Sequence, residues 1–513
     1  MPVDPGARTF ATAALLSALV AAAFHLALGD MHVNLADEGY LWYGVLGVLR
    51  GEVPFRDFQS YDPARYYWCA AFTPLLGHGI LGLRASVAVF QAIGLTLGLL
   101  VARRFVRGDA ALIVPALVLS LWMFPRHKLF EPAIALGVTW FVVRLCERPT
   151  ARRHLAAGAC VGLAAFFGRN HGLYAGLAVL AAFGLAVRHR PEPGVLRRFG
   201  ALTLGVLLGY APMLAMLAFV PGLRDGFADA LRDLLTKGAN VPLPWPWPWR
   251  TDLAGTTGLH TAARVAVAGG FLLPVLLLPL GLLRVLRARG DDFAREAALV
   301  GVTLVALVYV HHVTVRSDEP HLGQCIQPVL LLAFALPTGG RARAASACGL
   351  LLFTGLAALE CHTTLRWLAP WRGGAQPLHD VDVAGEPLRL LGAQAATVEG
   401  LRRDVGARLT AQDEIFVAPS RPTYYPLLGK RSPVRDIYLF WFASVQDQRA
   451  IVERLETRRV RWALIVDTAI DDREDLRFSN THPLVWTFLH ERYERVPTSF
   501  LREDHLLFRR PAP

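Results

Sequence analysis

Long apolar runs separated by short polar, arginine-rich junctions fill the first 360 residues. A bilayer crossing needs about 20 mostly apolar residues. Segments of that kind fall near 10–29, 85–102, 109–124, 132–146, 155–168, 172–187, 199–220, 262–284, 297–315, 322–338 and 344–360, so the pattern predicts eleven spans, several of them short. After Glu360 the periodicity changes: Glu414 to Pro419 and Arg461 to Asp467 read as strands, and Val445–Thr457 and His482–Arg492 as helices. The fold class expected is an α-helical polytopic membrane protein with a small C-terminal α/β domain. Its division is 1–360, carrying a polar loop at 30–84, and 361–513, a soluble unit.

Composition agrees, with 54% hydrophobic and 18% charged residues in 513. A net charge of +12 could indicate nucleic acid, but the arginines gather between apolar segments, as topology requires. No nucleic-acid partner is expected. Positive charge recurs at every second junction: Arg8, Arg103/Arg104/Arg107, Arg144/Arg148/Arg152/Arg153, Arg188/Arg190/Arg197/Arg198, Arg284/Arg287/Arg289/Arg295 and Arg341/Arg343. Since cytoplasmic loops retain Lys and Arg, this places the N-terminus in the cytoplasm and the tail outside. It also requires residues 66–82 to lie at the interface as a re-entrant or amphipathic helix, because counting them as a span inverts every later loop. Residues 10–29 resemble a signal peptide ending at Ala27-Leu28-Gly29. The apolar run is longer than a usual h-region and only Arg8 precedes it, which favours an uncleaved anchor.

The six cysteines show no C-x-x-C or Cys/His ligand spacing, so neither a disulfide framework nor a structural zinc site is indicated. Residues 242–249 alternate Pro and Trp in an external loop, suiting an interfacial anchor.

The unusual polar residues lie on the expected external side, where charge should be sparse. Asp37 and Glu38 stand just beyond the first span, followed by Arg56, Asp57, Tyr61 and Asp62. A carboxylate beside low-dielectric material has its pKa raised and can serve as a general base; the alternative makes Asp37 a helix N-cap. Arg126, His127, Lys128 and Glu131 occupy a short turn between spans, where ionisable groups are costly and mark substrate paths or snorkel to the interface. Arg169 and Arg316 break the charge rule. Both suit a phosphate clasp, or Arg316 neutralises Asp318 in the run that ends at His321. Adjacent His311 and His312 diverge on a helix and are read as packing or interfacial residues. Tyr424, Tyr425 and the run from Tyr438 to Phe442 are read as core or membrane-contacting aromatics.

These residues together resemble the GT-C superfamily of membrane glycosyltransferases, which includes aminoarabinose transferases, protein O-mannosyltransferases and Rgt-type sugar transferases. The resemblance is carried by Ala36 to Tyr40, Gly51 to Asp57, Tyr61 to Tyr66, Phe130 to Pro132 and Arg316 to His321. It covers the membrane region well and the tail only in general plan. It implies two essential acids, Asp37 matching the first and Glu131 the second. Glu131 departs from the commoner Asp, and Ala64 stands where many relatives have Gly. Further implied are a polyprenyl-phosphate sugar donor, a lipid, glycan or protein acceptor on the external face of a bacterial-type inner membrane, and inversion at the anomeric carbon. Within that implication Asp37 is the general base. Glu38 and Glu131 are supporting acids or metal ligands, and Lys128, Arg169 and Arg316 phosphate binders. Arg56, Asp57, Tyr61, Asp318 and His321 complete the substrate contacts. No cofactor is certain, and a divalent metal stays open.

Two readings compete. A transporter would show repeated halves with matching broken spans, which the sequence lacks. A non-catalytic envelope assembly protein would keep the fold without the activity.

Overall fold

The computed structural model describes residues 6–189, 193–238, 240–289, 291–362, 365 and 377–511. Contacts divide the chain into two compact units. The first comprises Met1–Gly29, Arg84–Phe219 and Ala239–Ala375, the second Asp30–Leu83, Val220–Gly238 and Gln376–Pro513. Residues 30–83 and 220–238 therefore group with the tail, whereas the sequence division placed them in the membrane domain. Residues 363–364 and 366–376, next to the expected boundary, lie outside the described set.

The first unit is helical. Eight helices among the described residues are long and apolar enough to cross a membrane, from Ala7–Leu28 to Gly340–Cys361. The expected count of eleven is not reproduced, because three segments form shorter helices. Ala110–Leu121 is a short apolar helix, Ala151–Phe167 has 17 residues and Gln327–Ala335 has 9. The last is cut short where Gln324–Ile326 separate it from Glu319–Gly323, and each of these two helices has a proline in its first turn. Burial ranks the spans: in the most apolar 18-residue stretch of Arg126–Glu147 89% of residues are buried, against 17% in that of Val195–Phe219, which faces outward. An outward face of Leu204, Leu207, Leu208 and Leu214 suits lipid.

One helix pair shows how sequence sets the packing. Gly158 and Gly162 on Ala151–Phe167 meet Gly205 and Gly209 on Val195–Phe219, two reciprocal small-xxx-small faces. A Cβ on Gly162 would lie 2.3 Å from the Val206 carbonyl oxygen, and one on Gly209 2.1 Å from that of Ala159. The backbones touch only because those positions carry hydrogen. Thr150 caps the first of these helices, its hydroxyl accepting from the Arg153 N–H.

The second unit joins the loop after residue 30 to the tail. Strands β1 (Leu378–Val383) and β2 (Glu386–Leu391) form an antiparallel hairpin. Strands β3 (Ile415–Ala418), β4 (Trp462–Val466), β5 (Glu494–Val496) and β6 (His505–Arg509) form a sheet ordered β3-β4-β6-β5. β3 and β4 are parallel, and both are buried along their whole length, as uninterrupted apolar strands in a covered parallel pair should be. Helix Val445–Thr457 connects them, held at its start by a capping box between Ser444 and Asp447. Phe416, Ile451, Leu455, Ile465, Leu489 and Phe508 fill the core between sheet and helices.

Helices Asp37–Leu49 and Ala64–Leu76 from the loop, and Leu223–Lys237, also belong to this unit. Ala64–Leu76 has 13 residues, about 20 Å of helix, too short for a hydrocarbon core of about 30 Å. It exposes Tyr67, Leu75 and Leu76. The loop is stitched to the tail by paired hydrogen bonds. Arg389 binds Asp30 through two nitrogens at 2.6 and 2.7 Å, and the Gln59 side chain accepts from the backbone of Ile437 and Tyr438.

Candidate functional site

In the second unit the start of helix Asp37–Leu49 is organised by Asn34. Its side-chain oxygen accepts from the N–H groups of Ala36 at 3.0 Å and Asp37 at 2.9 Å. The Asn34 N–H in turn donates to Glu38 at 3.1 Å. This reciprocal arrangement caps the helix, so the capping role considered for Asp37 belongs to Asn34. Glu38 is 1% exposed and one of its oxygens fixes the helix start. Asp37 is half-buried, and its carboxylate accepts from the Tyr438 hydroxyl at 2.8 Å. Burial, then the Asp37 charge, push the Tyr438 hydroxyl well above its ordinary value, so it stays a donor.

Aromatic rings surround this pair. Tyr40 meets Tyr61 edge-on at 4.6 Å and Tyr438 at 5.4 Å, and the Arg65 guanidinium lies 4.6 Å from the Tyr61 ring centre. Arg56 and Asp57 bind each other at 2.7 Å, and Asp57 also accepts from Val53 N–H. Burial raises the Asp57 carboxyl, but the bonds from Arg56 and Val53 outweigh it and hold it below the ordinary range. Asp436, two residues before Tyr438, has its carboxyl raised by burial, against the opposing charge of Arg435. Nearby, Lys237 bridges Asp233 at 2.9 Å and Asp447 at 3.6 Å.

The tail approaches Asp37 through the loop after β3. The Thr423 hydroxyl donates to the Leu35 carbonyl at 2.7 Å. Gly39 permits this contact, since a Cβ there would lie 1.8 Å from that hydroxyl and 2.4 Å from the Thr423 nitrogen.

In the first unit Arg126, His127 and Lys128 form a 3-10 turn leading into helix Phe130–Glu147. Arg126 donates to the Leu28 carbonyl at 2.9 Å, closing the end of the first helix. Glu131 is 4% exposed in the first turn of its helix, where the dipole favours a carboxylate. Arg169, half-buried, begins helix Arg169–His189. His171 lies 5.8 Å from His312 between ring centres, and His312 lies 5.5 Å from His321. His312 is bonded to Gln324 at 3.2 Å and His311 to the Tyr174 hydroxyl at 3.0 Å, so both histidines are polar partners as well as packing residues. Asp318 binds Arg316 at 2.5 Å and the His321 ring at 2.6 Å. Burial raises its carboxyl, but the bonds from His321 and Arg316 bring it below the ordinary value. Arg316 thus forms the pair with Asp318, and also donates to the Val241 carbonyl at 3.1 Å. Among the described residues no group of three or more His, Cys, Asp or Glu side chains converges as a ligand set for a metal ion.

The chain aligns with the crystal structure of ArnT from Cupriavidus metallidurans bound to undecaprenyl phosphate over 96% of its length and 97% of ArnT, at 14% identity and a TM-score of 0.58. The chain has the fold of this ArnT. The apo form of that ArnT matches over the same shares at 13% identity and a TM-score of 0.49. Archaeal oligosaccharyltransferase AglB from Archaeoglobus fulgidus, in complex with an inhibitory peptide and a dolichol-phosphate, matches 89% of the chain and 69% of its own length, at 11% identity and a TM-score of 0.44. No protein-family model and no curated protein sequence matches the chain.

Within this fold, Asp37, Glu38, Arg56, Asp57 and Tyr61 belong to the second unit, and Lys128, Glu131, Arg169, Arg316, Asp318 and His321 to the first. Sequence reading misses Tyr438, which looks like one more apolar aromatic, although its hydroxyl reaches a carboxylate 401 positions away. Nothing local in the run from Tyr438 to Phe442 distinguishes it. Asp436 was missed too, although an acid beside so apolar a run is a usable signal.

Proposed function

We propose that the protein is a membrane glycosyltransferase that moves a sugar from a polyprenyl-phosphate donor to an acceptor on the external face, with inversion. The fold supports a transferase of GT-C type, and fold alone does not fix activity. The observation that carries the reading is Asp37. Its helix start is bonded by Asn34 and its carboxylate is held by Tyr438, a fixed orientation that supports its assignment as the base. The likeness to ArnT, whose crystal structure holds undecaprenyl phosphate, supports a lipid-phosphate donor.

In this mechanism the acceptor oxygen attacks the anomeric carbon, its proton passes to Asp37, and the carbon–oxygen bond to phosphate breaks with the electron pair leaving on phosphate. Cations stabilise such a leaving charge. Taken by itself, the first unit offers Lys128 and Arg169 as candidates for that role, Arg316 less so because Asp318 already offsets its charge, and Glu131, buried at a helix start, as a candidate sugar contact. Glu38 is assigned to the helix cap rather than to chemistry, and Arg56 with Asp57 to holding their own turn.

The test is transfer from labelled polyprenyl-phosphate sugars in membranes carrying wild type or Asp37→Asn. Loss of a general base lowers kcat by roughly 100-fold or more. Equal transfer by both, at equal membrane insertion, overturns the assignment.

A further inference from the structure

Arg421 is a cation that neither the charge map nor the motif resemblance singled out. It follows the C-terminal end of β3, the edge strand that pairs parallel with β4. Its guanidinium is half-buried and forms no ion pair among the described residues; it donates to Ser420, at 3.2 Å to the carbonyl and 3.4 Å to the hydroxyl, and also bonds the Tyr424 hydroxyl. Most other arginines of the tail are matched: Arg389 with Asp30, Arg458 with Glu414, Arg473 with Asp475, Arg477 with Glu474. A partly desolvated guanidinium without a carboxylate is costly unless an anion completes it.

Its surroundings are built and rigid. Thr423, two residues on, is bonded to Leu35 and pressed on Gly39 at the turn that begins with Asp37. Tyr424 is fully buried and bonded to His505 at 2.8 Å, and His505 to Asp504 at 2.7 Å, so the loop cannot swing freely. Arg421 also stands near the Tyr438 hydroxyl that binds Asp37. Burial and Asp37 raise that hydroxyl, and Arg421 opposes them. The planar fork of an arginine matches the two oxygens of a carboxylate or phosphate.

We infer that Arg421 binds an anionic oxygen group, a phosphate or carboxylate, of a substrate presented to Asp37. This rests on the transferase reading for the word substrate, but its test does not. The full-length protein in detergent is titrated with undecaprenyl phosphate, inorganic phosphate and galacturonate, following tryptophan fluorescence, for wild type, Arg421→Gln and Arg421→Lys. Losing a charged hydrogen bond is expected to weaken binding about tenfold. Weakening of undecaprenyl phosphate in Arg421→Gln identifies the lipid phosphate as the bound group. Weakening of only the soluble anions identifies a charged group on the acceptor. Arg421→Lys recovers part of the affinity if charge is what matters. The inference is overturned if wild type binds none of the three, or if Arg421→Gln, with an unchanged unfolding temperature, binds all of them as wild type does. A failed transfer assay with intact Arg421-dependent binding would discard the transferase reading and leave the anion site standing.

Discussion

At the scale of single residues, the structure separates neighbours that look alike in sequence. Asp37 and Glu38 are adjacent acids, yet one is bonded to a tyrosine hydroxyl and the other to a backbone N–H. Glu38 behaves as part of a cap because a helix start leaves N–H groups to satisfy. Tyr438→Phe removes one charge-assisted bond to Asp37 and nothing else of similar size. The expected result is a fall in kcat of about tenfold with KM for the donor nearly unchanged, measured in the membrane transfer assay. An equal fall in Asp37→Asn and in the double variant would place both residues in one functional unit. Unchanged kcat in Tyr438→Phe would remove the hydroxyl from the mechanism.

At the scale of elements, packing rests on close approaches and on buried acids. Gly162→Ile pushes a side chain into the Val206 carbonyl and is expected to cost about 1–3 kcal/mol or more. Gly184→Ala, which meets nothing within 4 Å, serves as the neutral control. Thermal unfolding in detergent distinguishes them, and equal midpoints would show that the helix crossing is loose.

The tail has a comparable anchor in Asp404, 2% exposed, which accepts from the N–H groups of Ser499, Phe500 and Leu501 at 2.7 to 3.2 Å. Burial raises its carboxyl, but these backbone bonds, with the Arg408 charge, bring it below the ordinary value. A lowered folded value means the stabilisation is present above the unfolded value, near about 3.9, and is lost as pH falls through the folded one. Asp404→Asn should therefore be destabilised by about 2 kcal/mol at neutral pH, with the gap to wild type narrowing in acid. A gap constant with pH would contradict it.

The elements themselves were largely legible. Helix Val445–Thr457 and strands β3 and β4 fall where apolar periodicity placed them. The hairpin of β1 and β2, and strands β5 and β6, were not foreseen. Their short runs mix Asp, Glu and Arg with apolar residues and gain strand character only by pairing.

At the scale of the molecule, orientation is the open prediction. A reporter fused after Glu360 should read external if the arginine clusters are cytoplasmic. A cytoplasmic reading would invert the map and remove Asp37 from the external face. The sequence by itself determined that this is a helical membrane protein with an α/β tail, because hydropathy and charge placement are summed along the chain. It also determined the candidate acids, since ionisable groups beside apolar segments stand out one at a time. Which acid bonds a helix start, which arginines pair with a carboxylate, and that residues 30–83 fold with the tail were decided only by tertiary structure. Those facts depend on partners hundreds of positions away, as Tyr438 is from Asp37 and Arg389 from Asp30, and no local pattern encodes a distant hydrogen bond.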